Sequence, residues 1–259
     1  MSATYTFKRI EREQADLASI AVNSPLGADS IKTQNEVSKY LAKEFAFLWA
    51  EFEASLSNTP IISAIENETI TLEEYKTLLL NMRQQVIDGG RWIALGASSI
   101  DIRENSNYAF IRERILTHAG DEQSDYQMLE SNYLALGGDR GTIEGYPQNI
   151  GTEAFTAYMF HRASQPNPLD LLGALFIIEG VGKLKASPWA DHLHKCLGLN
   201  DDALTFLRYH GKFDFDHMEK FRFLISLPII TMDIAKRMVK TTKVVATLYV
   251  LQFAHMDDH

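Results

Sequence analysis

Eight residues without a charge, Leu171 to Ile178 (LLGALFII), run straight into a lone carboxylate, Glu179, followed by Gly180, Val181 and Gly182. A run this apolar belongs in a protein interior, and the rest of the chain must supply the layers that cover it. Glutamate is almost never fully buried alone, so the segment predicts a buried, partnered carboxylate. The competing reading has Glu179 emerging at the surface beside Lys183, its i+4 neighbour. Gly173, Gly180 and Gly182 weaken a helix, which points to close helix approach or to room for a ligand.

The covering layers read as helices. Apolar residues recur at helical spacing over roughly 34–57, 71–100, 106–137, 150–164, 168–196, 200–227 and 229–256. Thr71 followed by Glu73 and Glu74 is a start signal with a capping box, and Tyr75, Leu78, Leu79, Met82 and Val86 continue the stripe. Gly137-Gly138 predicts a stop, Asp139 to Asn149 a loop, and Asn167-Pro168 a new start. No strand alternation, internal repeat or dividing linker is evident. The expected fold is all-α, a single bundle of about seven helices over 34–259, preceded by an N-terminal arm or short helix over 1–33. A chain of 259 residues can bury a large core.

With 25 basic and 34 acidic residues the formal charge is −9. An acidic chain without a Lys/Arg block argues against nucleic acid or an anionic membrane as partner. The longest apolar stretch, 244–254, is too short for a membrane span, and the N-terminus has no apolar signal region. A cytoplasmic location is expected. An exposed apolar face on the 229–256 helix would favour a homodimer. Cys196 stands alone, which excludes an intramolecular disulfide, a CxxC pair and a thiolate zinc cage. It reads as a small core residue rather than a nucleophile. Any metal site must use nitrogen and oxygen.

Three segments offer such donors. His210, Asp214 and His217 fall at i, i+4 and i+7, on one helical face, which suits Fe, Mn or Zn. Surface histidines beside acids are the equal alternative. His118, Glu122 and Asp125 repeat the spacing, with Glu122-x-x-Asp125 resembling an ExxH half-site whose His is Asp. Taken alone, this segment reads more simply as an exposed acidic turn. Glu179 is the third element. His161, His192, His194 and the tail His255 and His259 read as structural or solvated.

In this order, Glu122-x-x-Asp125, the Leu136-Gly137 turn, Glu179-Gly180 and His210-x3-Asp214-x2-His217 resemble the heme-oxygenase-like diiron oxidases and oxygenases, iron-containing redox enzymes related to the TenA and PqqC branches. The resemblance spans roughly residues 60–227. It implies a seven-helix bundle without heme, two irons, and O2 as co-substrate in the oxidation of a small organic metabolite by hydrogen abstraction or oxygen insertion. It implies Glu122, Asp125, Glu179, His210, Asp214 and His217 as metal ligands, with Glu179 and His210 central to catalysis. His118 could supply the nitrogen missing at Asp125. Where relatives offer another Glu, this chain reads Arg83-Gln84-Gln85-Val86-Ile87-Asp88, and Asp88 is the candidate there. A single Fe or Mn is the lesser form of this expectation. Phe176, Phe206 and Phe213 are expected to shape a dry substrate pocket. The rival readings are a metal-free enzyme like thiaminase or pyrroloquinoline quinone synthase, and a non-catalytic bundle that binds a ligand or partner.

Overall fold

The computed structural model describes residues 17–27, 29–30 and 35–259. Its helices are α1 (Leu17–Val22), α2 (Glu36–Leu56), α3 (Pro60–Glu66), α4 (Leu72–Val86), α5 (Gly89–Ser98), α6 (Tyr108–Glu122) and α7 (Tyr126–Ala135). They continue with α8 (Arg140–Gly145), α9 (Ile150–Ala163), α10 (Leu172–Val181), α11 (Ser187–Leu197), α12 (Thr205–Ser226) and α13 (Met232–Ala254). No strand occurs among the described residues, and the fold is all-α. The short helix expected within 1–33 is α1; residues 1–16, 28 and 31–34 lie outside the described part.

Each of the seven helical stretches read from the sequence is helical, but two are broken. The 71–100 stretch stops after Val86 and restarts at Gly89. There Gly90 lies against α6, where a Cβ would meet Gln123 Cα at 2.9 Å and Ala119 O at 3.0 Å. The 106–137 stretch breaks between Glu122 and Tyr126. The residues at both breaks tolerate a helix, so periodicity carries across them. The expected loop at 139–149 contains α8, which Asp139 caps through Thr142 N–H. The predicted capping box at Thr71 and Glu74 is present. Gly137, at φ 76°, ends α7 in the left-handed region that glycine enters at little cost.

Helix α10 is the interior element demanded by its apolar run; nine of its ten residues are buried. It lies between α12 and α13. Gly173 permits the α13 contact, since a Cβ there would collide with Met238 O, and Thr242 Oγ1 donates to Gly173 O at 2.8 Å. Helix α13 packs on α2, α9 and α10, burying Val245, Ala246, Tyr249 and Phe253. The apolar face formed by these residues is therefore used inside the chain. No helix among the described residues is long and apolar enough to cross a membrane.

Candidate metal centre

Four pieces of chain converge on one buried region. The C-terminal turns of α6 carry His118 and Glu122, and the turn to α7 carries Asp125. Helix α10 brings Glu179, and α12 presents His210, Asp214 and His217 from one face, as their spacing requires. Glu179 is only 4% exposed. Lys183 does not reach it: the ammonium donates to Pro25 O at 2.8 Å and lies 4.6 Å from the Phe215 ring centroid. The surface reading of Glu179 is thus excluded.

The side chains form two donor clusters. In the first, His118, Glu122, Glu179 and His217 offer ligand atoms all within 4.8 Å of one another; in the second, Glu122, Asp125 and His210 do the same. Glu122 belongs to both. His118 Nε2 lies 3.0 Å from Glu179 Oε1, and His217 Nδ1–H donates to Glu179 Oε2 at 3.0 Å. His217 Nδ1 is also 3.6 Å from Glu122 Oε1 and 3.4 Å from Asp214 Oδ1. His118 Nε2 and Asp214 Oδ1 are fully buried, and each faces a charged neighbour, Glu179 and His217, without a well-aligned hydrogen bond.

The backbone makes room for this arrangement. After Val181 the chain takes a π turn, Gly182–Ala186, before α11 begins. The Gly182 Cα faces the Asp214 carboxylate so closely that a Cβ there would overlap Asp214 Oδ2. Gly182→Ala is therefore expected to push Asp214 aside, lowering stability by about 1–3 kcal/mol in urea unfolding. Because Asp214 braces His217, the same variant should weaken metal binding by about tenfold or more.

Charge is tightly coupled across the clusters. Both ring nitrogens of His210 face acceptors: Nδ1–H donates to Phe206 O at 2.9 Å and Nε2–H to Asp125 Oδ2 at 3.1 Å. Burial opposes the imidazolium, but Asp125, with Asp214 and Glu122, holds its pKa up at about 9. At His217 burial is likewise overruled, by Asp214 and Glu179, giving about 10. His118 is shifted upward against burial by Glu179 and Glu122. Burial, reinforced by the Glu179 charge, raises Glu122 to about 8, and burial raises Asp214 to about 6. Burial would raise Glu179 too, but His118 and His217 outweigh it and hold the carboxyl below its ordinary range.

Other expected residues lie elsewhere. Asp88 pairs with Arg91 at 2.5 Å and belongs to neither cluster. Arg83 donates from Nε and Nη2 to Glu130 Oε1 at 3.0 and 2.9 Å, and Gln84 Nε2 donates to Ile143 O at 3.1 Å. Gln85 Oε1 accepts from Gln252 Nε2 at 3.2 Å. The 83–88 segment thus has structural partners throughout its polar side chains. His192, His194, His255 and His259 have partners away from the clusters, in Glu68, Leu199 O, Asp258 and Tyr146.

A cavity of about 380 Å³ opens onto the first cluster, reaching His118, Glu179 and His217. Its aromatic lining is Phe110, Phe221 and Phe223, not the expected trio. Phe176 stacks on Phe45 in the core at 4.5 Å, Phe206 lies against the His210 ring at 4.1 Å, and Phe213 is 40% exposed. Helical periodicity locates a face but not its rotation toward a neighbour, so only the structure identifies Phe221 and Phe223. Cys196 is half-buried on α11 and does not line this cavity.

The iron-containing redox enzyme family matches residues 120–243, a span holding every cluster residue except His118. No curated protein matches the chain. Among solved structures, a domain of unknown function with a heme oxygenase-like fold from Shewanella denitrificans OS217 superposes with TM-score 0.73 at 18% identity, covering 85% of this chain and 91% of that one. A TenA homolog from Pseudomonas syringae pv. tomato DC3000 gives TM-score 0.69 at 7% identity, covering 85% and 92%. The chain thus has the heme oxygenase-like fold, and over residues 120–243 it carries the sequence pattern of the iron-containing redox enzymes.

Proposed function

We propose that this protein is an O2-dependent non-heme iron oxidase or oxygenase acting on a small organic metabolite, with two irons held between α6, α10 and α12. The observation that carries the reading is Glu122, a carboxylate common to two donor clusters, as a ligand bridging two ions must be. The donor set fits: three imidazoles and four carboxylates without a thiolate suit Fe or Mn, and four carboxylates balance two divalent charges. The first ion would take His118, Glu122, Glu179 and His217; the second Glu122, Asp125 and His210, with Asp214 beside them. Iron there would supply electrons to O2, and so the oxidising power for hydrogen abstraction or oxygen insertion.

The protein's own contribution is position and dryness. The Phe206 carbonyl fixes the His210 ring through Nδ1 and leaves Nε2 facing the cluster. His118 would give the first ion a second imidazole, while the second ion, beside Asp125, would have His210 as its nitrogen donor. Leu172, Leu175, Phe221 and Leu224 exclude water from the side on which substrate would enter.

Anaerobic Fe(II) titration with metal counting and Mössbauer spectroscopy tests this directly. About two irons per chain, with O2 uptake that depends on them, is the expected result. Failure to take up iron above the level of the His118→Ala/His210→Ala/His217→Ala protein overturns it. The metal-free reading, suggested by the TenA-like fold, would need a pocket thiol in its thiaminase form, and Cys196 is outside the cavity.

A further inference from the structure

The cavity has a polarity of its own. Its inner end is the first donor cluster, and its walls are Ile115, Leu172, Leu175, Phe221 and Leu224. At its mouth the Phe110 and Phe223 rings meet edge to face at 6.0 Å, joining α6 to α12. The Arg114 guanidinium lies over Phe110, 4.9 Å from the ring centroid, which holds an exposed, long side chain in place. Lys220 stands on the α12 side of the same mouth.

Neither Arg114 nor Lys220 has an ion-pair partner among the described residues. Of the acids at the mouth, Glu219 faces Arg222 at 3.8 Å, which leaves Asp121. Two cations against one acid is a local positive surplus on a chain of net charge −9. The inner end has no such surplus, because His118, His210 and His217 stand there against Glu122, Asp125, Glu179 and Asp214. An anionic group entering the cavity is therefore favoured at the mouth, and an apolar group within.

We propose that the cavity binds an organic anion with an apolar body, its charged group held between Arg114 and Lys220 and its body directed inward to His118, Glu179 and His217. The proposal rests on the oxidase reading only in identifying the inner end as the reacting end. A bond several atoms from the anionic group, rather than the carbon bearing it, is then the one presented to the metal centre.

Calorimetry with 4-phenylbutyrate, 4-phenylbutan-1-ol and 4-phenylbutylamine isolates the head group while keeping one body. It is run on metal-free and Zn(II)-loaded protein. The carboxylate is expected to bind about tenfold tighter than the alcohol in both, and the amine no tighter than the alcohol. Arg114→Gln/Lys220→Gln should remove the carboxylate's advantage and leave the alcohol unchanged. Leu175→Trp should weaken carboxylate and alcohol alike. An advantage that survives the double substitution, appears only with Zn(II), or passes to the amine overturns the proposal, as does unchanged binding to Leu175→Trp. Since the metal-free arm needs no iron, failure of the oxidase reading leaves this outcome readable.

Discussion

Glu122→Ala protein is expected to hold no iron tightly, whereas His118→Ala and His210→Ala should each keep about one ion per chain. The difference follows from membership. His118 belongs only to the cluster with Glu179 and His217, His210 only to the one with Asp125, and Glu122 to both. Loss of one ligand from a site of three or four donors weakens it by about tenfold or more, and a bridge lost from two sites weakens both. Circular dichroism should show all three variants folded, since none fills a large hydrophobic position. Metal counting after anaerobic Fe(II) loading and desalting reads the result. Two ions retained by Glu122→Ala would show that the clusters do not share it.

Loading the metal-free protein at neutral pH is expected to release about three protons per chain, and apparent affinity should climb steeply with pH. His217, His210 and Glu122, at about 10, 9 and 8, all hold protons at pH 7 that a metal must displace. The same shifts predict stability without metal. A pKa raised on folding contributes stability that is fully present below the unfolded value and lost as pH rises through the folded value. For Glu122 that window runs from 4.5 to about 8, and for the two histidines from 6.5 to about 9 and 10. Glu179, shifted down, acts oppositely: its contribution is present above 4.5 and lost only as pH falls below it. The Tm of metal-free protein should therefore fall from mildly acidic to alkaline pH, and the gain on adding metal should grow over the same range. Proton release follows from calorimetry in buffers of different ionisation enthalpy. A Tm flat from pH 6 to 9, or metal uptake without proton release, would contradict this charge arrangement.

Much of this site is legible along the chain because helices preserve spacing. His210, Asp214 and His217 needed only α12 to stay intact, and it does. Glu179 was legible as an unaffordable charge within an apolar run. What a one-dimensional pattern omits is where a helix yields. Nothing in Gln123-Ser124 forbids helix, yet the axis breaks there, and Asp125 reaches His210 from a different helix than Glu122. His118 is ambiguous in sequence because its partners, Glu179 and His217, lie on two other helices. The cavity wall was the least legible part: Phe213 and Phe221 share an aromatic, amphipathic helix, and only packing against α10 and α2 distinguishes the buried ring from the exposed one.

The break after Glu122 also sets how the site is braced. Asn132, on α7, donates through Nδ2 to Asp202 O and Thr205 Oγ1, both at 2.6 Å, and accepts from Phe206 N–H at 3.2 Å. The helix that Asp125 opens thereby grips the first turn of the helix that carries His210. Asp125 and His210 are thus tied to one frame, His118 and Glu122 belong to α6, and Gln123-Ser124 joins the two. The second donor cluster, Glu122 with Asp125 and His210, therefore spans that joint.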